Sequence, residues 1–462
     1  MTSRRELGVG LVYRPALEPV LDDLPVSVLE LEPQTTWEKV RRDGRWCYRD
    51  DPQVVERLAE RPHAKLLHGI GQPVGGSCAD PVEHLPLLRA TADRLGPVWV
   101  SEQLSFNRVP GGETGCLLPP PQTAAAVRVA AANVAAYGRA LGRPVAFGTG
   151  ANHLAPRPGE LSDGDFWAAV SRRAGSGIVL DLHNLWCNQR AGRDRVRDVL
   201  RRLPLDQVWE IHLAGGMAMD GSWLDARSDR IPGALAELAA TVIPRLPNLG
   251  AIVVEVPPEH YATLGPDGLR DQVDLLSRLW DLRPPARAVP PVRPGGDVPQ
   301  PTGEDLACVR RGELDLHRAI SGGIVDEPGI DVYRALIADF RRGSLARALR
   351  YTMTLLLLHL GSRGTHELLD AYFAGHPADA YRAVEADRFA AVLRGRTDLL
   401  RRVPHLDEVL SYERALVRAT AFDEHTLIAW TADPAVILRA LDRGTIPPPL
   451  PAVRSEMVIA PS

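Results

Sequence analysis

Eight short apolar runs, each followed by a segment of helical character, occupy the first 282 residues of this 462-residue chain. They are GVGLVY (8–13), VSVLELE (26–32), KLLHG (65–69), VWVSEQL (98–104), PVAFGTG (144–150), GIVLDLHN (177–184), VWEIHLAG (208–215) and AIVVEVPP (251–258). They are rich in β-branched residues, as strands covered on both faces should be. The clearest intervening helix is TAAAVRVAAANVAAYGRALG (123–142), dense in alanine and closed by Gly142 and Pro144. Ser162 stands in cap position before GDFWAAVSRRAG, with Asp165 three residues on. Further helices are expected over 194–203, 233–246 and 267–282. Eight strand–helix alternations in about 275 residues are the arithmetic of a closed (β/α)8 TIM barrel in the α/β class. An open doubly wound sheet would more often carry a glycine fingerprint after its first strand, and GVGLVYR is a poor match to one.

From Arg283 the pattern breaks. RPPARAVPPVRPGGDVPQPTGED lacks a periodic apolar face, which makes 283–303 a linker or an arm laid across the barrel. Beyond it only helix-like segments are expected, over 303–318, 330–358, 378–400 and near 406–421, so 304–462 reads as a mainly helical domain. The basic stretch RRGSLARALR (341–350) gives one helix a positive face, either solvated or a dock for an acidic peptide. The end of the chain, ALDRGTIPPPLPAVRSEMVIAPS, reads as loop.

Composition narrows the function. Fifty-four basic against 58 acidic residues give a formal charge of −4, which argues against a dedicated nucleic-acid binder. The five cysteines form no CxxC pair, so neither a disulfide framework nor a thiolate zinc site is expected. No signal peptide is expected from MTSRRELGVGLVYRP, and no apolar run approaches the roughly 20 residues that span a bilayer. The expected setting is the cytoplasm, without membrane.

Polar residues cluster where the apolar runs end: Glu30 and Glu32, His68, Glu102, Asp181, His183 and Asn184, His212 and Glu255. Strand ends hold the chemistry of a barrel, and buried charge is costly unless paired or coordinating a metal. Alternation along a strand would put Asp181 and His183 on one face. Asp181, His212 and Glu255 end the sixth, seventh and eighth runs and could form one face of a metal polyhedron. Oxygen and imidazole donors without thiolate suit iron, manganese, zinc or magnesium. His68 from the third run and Asp225 after the seventh extend the set. Any one such histidine is more often scaffold than ligand; the set carries the argument. Glu30 and Glu32 more often support ligands than act as them, and His153 is a weaker candidate.

The stretches VLELEPQTTW (28–37), LLHGIGQPVG (66–75), WVSEQLSFNR (99–108), LLPPPQT (117–123), IVLDLHNLWCN (178–188) and WEIHLAGG (209–216) resemble, in order and spacing, the DUF692 family. That resemblance implies a xylose-isomerase-like barrel. It also implies kinship with multinuclear non-haem iron oxidases that modify cysteine-containing peptides, as in methanobactin and 3-thiaglutamate biosynthesis. Those enzymes act with a helper protein that recognises the precursor peptide, and 304–462 could be such a leader-binding partner fused in cis.

The chain departs from the family pattern at several positions. Gln103 stands where a histidine is usual, Gly148-Thr149 where a Glu-Asn pair is, and Gln34-Thr35 where another Glu-Asn pair is. The seventh motif ends at Gly216 rather than in histidine, and Asp225-Ala226-Arg227 replaces Asp-x-His. The resemblance therefore implies retained ligands at His68, Asp181, His212, Asp225 and Glu255, with Asn184 also kept. A full three-iron cluster is not expected, and Arg227 would put a positive charge where relatives hold a cation.

Two readings follow. In one, the chain is an oxidase with a pared-down, one-iron site that modifies a precursor-peptide side chain in natural-product biosynthesis. There His68, Asp181 and His212 act, with Glu30, Glu32, Glu102, Gln103, His153, His183, Asn184 and Arg227 in support or on substrate. In the other, it is a metal-free barrel that binds a peptide or partner.

Overall fold

The computed structural model describes residues 6–78, 84–219, 222–224, 230–285, 297–379 and 381–461. Each of the eight apolar runs holds one strand: β1 (Gly8–Val12), β2 (Val28–Leu31), β3 (Ala64–Gly69), β4 (Val100–Gln103), β5 (Val145–Gly148), β6 (Gly177–Asp181), β7 (Val208–Ala214) and β8 (Ala251–Glu255). They pair in chain order, all parallel, and β8 closes against β1 with Gly8 opposite Ala251. The helices end where their caps predict. Thr123 accepts a hydrogen bond from the Ala126 N–H to open Ala124–Leu141, and Gly142 closes it at φ 62°. Ser162 does the same for Asp165, whose carboxylate accepts the serine hydroxyl at 2.7 Å.

Alternation along the strands sorts the side chains into two faces. Leu29, Leu31, Leu67, Val100, Phe147, Ile178, Leu180, Ile211 and Leu213 point outward into the helix layer. Val12, Val28, Leu66, Trp99, Ala146, Val179, Trp209, Ala251 and Val253 fill the interior, with the Trp99 and Trp209 rings edge to face at 6.1 Å. This plug sits toward the N-terminal ends of the strands. Two residues further along several strands, the next inward position is polar: Glu30 after Val28, His68 after Leu66, Ser101 after Trp99, Asp181 after Val179 and Glu255 after Val253. The apolar plug thus forms the floor of a polar layer at the C-terminal mouth.

Two features of the barrel were not anticipated. Hairpins Glu38–Arg42/Arg45–Arg49 and Phe106–Val109/Gly112–Leu118 follow β2 and β4. The first turns on Asp43-Gly44, both at positive φ (49° and 75°), the geometry that tight hairpins favour. In addition, the run 177–184 is two elements: β6 stops at Asp181 and a helix begins at Leu182. Asp181 and His183 therefore do not share a strand face.

The segment after the linker divides differently from its sequence pattern. Val298 and Val309, before and on the helix Gly303–Ile320, belong to the barrel's own hydrophobic core. Asp305 pairs with Arg128 of the helix Ala124–Leu141, and Glu313 accepts the Ser77 N–H at 2.7 Å. A second core, built from Leu355, Leu356, Phe389, Leu406, Leu410 and Trp430 among others, lies within the elements from Pro328 onward. This half is not helical throughout. Thr426–Trp430 and Ser455–Ile459 form an antiparallel pair, so part of the terminal segment read as loop is a strand with alternating exposure. The basic stretch 341–350 is likewise not one solvated face, because Arg341 is buried against Glu385, with Nη2 2.7 Å from Oε1. Among the described residues no helix is long and apolar enough to cross a membrane.

Candidate metal centre

His212 is the hub of the polar layer. Its Nε2 lies 3.1 Å from Glu30 Oε2 and 3.4 Å from Glu210 Oε1, and its Nδ1 lies 3.2 Å from Glu255 Oε1. All four side chains are buried. β6 and β7 set Asp181 directly beside His212 in the register. Among the described residues, two groups bring candidate ligand atoms within 4.8 Å of one another: Asp181 with His212 and Glu255, and Glu30 with His68 and His212. The structure thus brings Asp181, His212 and Glu255 together, and adds Glu30 to the reach of His68.

His68 is held as a neutral ligand would be. Its Nδ1 is 2.7 Å from Ser101 Oγ, and that hydroxyl donates to the Leu67 carbonyl. The serine proton is committed, so Nδ1–H is the donor and Nε2 carries the lone pair. Burial, then the charge of His212, pushes the His68 imidazole down to about 4. Burial would also lower His212, but the carboxylates of Glu30 and Glu255 hold it well above its usual value. Burial, then the charge of Glu210, pushes Glu30 up to about 8.

Glu210 was missed in the sequence. It lies two residues before His212 on β7, the spacing that shares a face. A bulge helps: Ile178 pairs with Val208 but Val179 with Glu210, so Trp209 and Glu210 both turn inward. Its other oxygen accepts the Trp99 indole N–H at 2.9 Å.

Other candidates stand elsewhere. Glu102 faces the helix layer, because its neighbours Ser101 and Gln103 take the inward positions. It accepts the Tyr137 hydroxyl at 3.0 Å and the Gln72 N–H at 3.1 Å, so it belongs to the barrel wall and not to the centre. His183, in the first turn of Leu182–Arg190, has Nε2 3.9 Å from Cys187 Sγ and joins neither ligand group. His153 lies against Tyr333, ring centroids 5.4 Å apart. Glu32 is ion-paired with Arg14 at the rim. Asn184 donates its side-chain amide to Asp181 Oδ2 and to the Thr149 carbonyl, which fixes the Asp181 carboxylate. Gln103 reaches over Gly148 beside His68. Asp225 and Arg227 lie outside the described residues.

The donor set fits a cation. Neither Glu30 oxygen accepts a hydrogen bond among the described residues, although the side chain is buried and faces an imidazole. A carboxylate in that position is stabilised by a positive charge. Carboxylate and imidazole donors match iron, manganese or zinc.

A family model described as RiPP precursor modification enzyme MbnB/TglH/ChrH matches residues 8–259, from the first residue of β1 to just past β8. A UPF0276 protein of Chromobacterium violaceum is 32% identical over 253 residues, 54% of this chain and 90% of that protein. One from Caulobacter vibrioides is 27% identical over 230 residues, 49% of this chain and 79% of the relative. A xylose isomerase domain protein from Planctomyces limnophilus aligns over 60% of this chain and 97% of that one, at 15% identity and a TM-score of 0.39.

Proposed function

The chain belongs to the MbnB/TglH/ChrH family of RiPP precursor modification enzymes, and on that premise we propose that it is an iron-dependent oxidase acting on a side chain of a ribosomally made precursor peptide. The observation that carries this reading is the pair of buried ligand groups sharing His212. Asp181, His212 and Glu255 would hold one ion, and Glu30 with His68 makes up the second candidate group on His212. Bound iron would supply activation of dioxygen and polarisation of a substrate thiolate or carboxylate.

The residues of the chain have separable tasks. Asn184 orients Asp181, and Ser101 sets the tautomer of His68. The apolar plug below excludes water from the floor. His68, neutral at physiological pH, can accept a proton from substrate at Nε2. Residues 304–462 would recognise the precursor peptide in cis, in a cytoplasmic setting that keeps the five free thiols reduced.

The test is metal content of protein made in iron-supplemented medium, with Asp181→Ala and His212→Ala beside it. Near-stoichiometric iron, lost in both variants but kept in Glu102→Gln, is the expected result. No tightly bound metal after anaerobic iron reconstitution would leave the barrel as a peptide-binding module.

A further inference from the structure

A cleft of about 1210 Å³ runs between the barrel mouth and the C-terminal helices. Its barrel side is made by Arg14, Gln34, Gly71 and Pro258, which follow β1, β2, β3 and β8. These are the same strand ends that carry Glu32, His68 and Glu255, so the cleft opens beside the candidate metal centre. Its far side is made by Phe340, Arg347 and Arg382 of two C-terminal helices, and the hairpin Phe106–Leu118 closes one end.

The charges in this cleft are unbalanced. Arg14 is paired with Glu32, Arg49 with Glu38, and Glu113 with Lys39 at 3.9 Å. Asp51 caps the helix Pro52–Glu60. Among the described residues, Arg108, Arg347 and Arg382 have no carboxylate within ion-pair distance, against Asp50 and Asp51 as the acidic side chains of the lining without a cation at that distance, so the lining holds five arginines and four carboxylates. The wall is also short of acceptors: Arg108 Nε, Gln34 Nε2 and Trp37 Nε1 find none among the described residues. Phe340, 40% exposed, offers an apolar contact among these donors.

We propose that this cleft docks the precursor peptide through an acidic stretch that carries an apolar side chain, and so delivers the segment beyond it to the barrel mouth. A guanidinium-lined, donor-rich wall is complementary to carboxylates and to the carbonyls of an extended chain. The inference rests on the peptide-modifying reading above. It names what that reading leaves open: where the peptide lies and what chemistry recognises it. It also narrows the basic stretch 341–350 to one residue, since Arg341 is spent on Glu385 and Arg347 reaches the cleft.

The experiment is fluorescence anisotropy on the full chain with three labelled 12-residue probes. Each repeats Gly-X-Ser-Leu, with X as Glu, Gln or Lys. The Glu probe should bind at least about tenfold more tightly than the Gln probe, and the Lys probe weakest, with the preference reduced by salt. Arg347→Glu/Arg382→Glu, on exposed positions that do not disturb the core, should abolish Glu binding and shift preference to the Lys probe. Hydrogen exchange should slow over 106–118 and 340–347 when the Glu probe is added. Equal affinity for the three probes, no binding of the Glu probe, or an unchanged preference in the double variant overturns the proposal. The probes have no reactive side chain and need no metal. Acidic-peptide binding without bound iron would therefore sink the oxidase and spare the cleft, and bound iron without acidic preference would do the reverse.

Discussion

The side-chain oxygen of Gln103 lies 2.4 Å from where a Cβ on Gly148 would stand, and His68 Cε1 lies 3.0 Å from the same point. The two departures from the family pattern are thus one feature. The glutamine on β4 fills the space that a side chain on β5 would need. Gly148→Ala should cost about 1–3 kcal/mol by overpacking. Gly148→Ala/Gln103→Ala should recover most of that loss, a coupling that urea denaturation of the double-mutant cycle would measure. Simple additivity would show that Gln103 can move aside freely.

Glu30 separates metal binding from stability. In chelated protein, Glu30→Gln removes a buried carboxylate whose oxygens accept no hydrogen bond among the described residues, and should stabilise the fold by about 1–3 kcal/mol. The same change should weaken iron retention on dialysis. A variant that is less stable without metal would mean that the His212 contact alone suffices for Glu30.

Glu102 makes stability depend on pH. Burial pushes its carboxyl up to about 8, against hydrogen bonds from Tyr137 and the Gln72 backbone. The unfolded chain releases this proton near 4.3, so between about 4 and 8 the native state holds one proton more. Stability from this group is therefore full at low pH and falls as pH rises, levelling off above about 8. Glu102→Gln stays neutral and should show a decline smaller by roughly 1–3 kcal/mol between pH 5 and 8.5 in urea melts of chelated protein.

Arg341 and Glu385 form a buried pair in the C-terminal half, and the Asp379 N–H also donates to Glu385 at 3.1 Å. Arg341→Ala would strand the carboxylate and should cost about 3–5 kcal/mol. Arg341→Met/Glu385→Gln should recover at least half of it. Chemical denaturation of the three proteins decides this, and an exposed pair would give less than about 1 kcal/mol.

The barrel was legible because strand and helix periods alternate eight times, and each cap residue stands where its helix begins. The candidate ligands Asp181, His212 and Glu255 were legible as polar residues ending apolar runs, and the structure brings them together. Where that reading failed, the cause was local. Glu102 also ends a run, but the parity of Ser101 and Gln103 turns it to the helix layer. His183 seemed to share a strand face with Asp181 because Asp181 both ends the strand and caps the helix Leu182–Arg190, with no loop residue between the two elements. Glu210 was legible by its spacing from His212, yet the bulge at Trp209 that sets its face leaves no signature in composition. The terminal strand Ser455–Ile459 was hidden by the prolines before it. Its partner Thr426–Trp430 is only five residues long.

The helix Gly303–Ile320 binds the halves of the chain more firmly than the proline-rich stretch before it suggests. Val298 and Val309 complete the barrel's own core, and Asp305 and Glu313 anchor on Arg128 and Ser77. Further along, Leu316 and Ile320 pack with Phe106 and Leu118 of the hairpin and with Ile330 and Tyr333 of the next helix. A cut at the linker would therefore strip the barrel of a stave and leave apolar surface bare on both products. The geometry between mouth and helices is built in during folding, and a peptide need not assemble it.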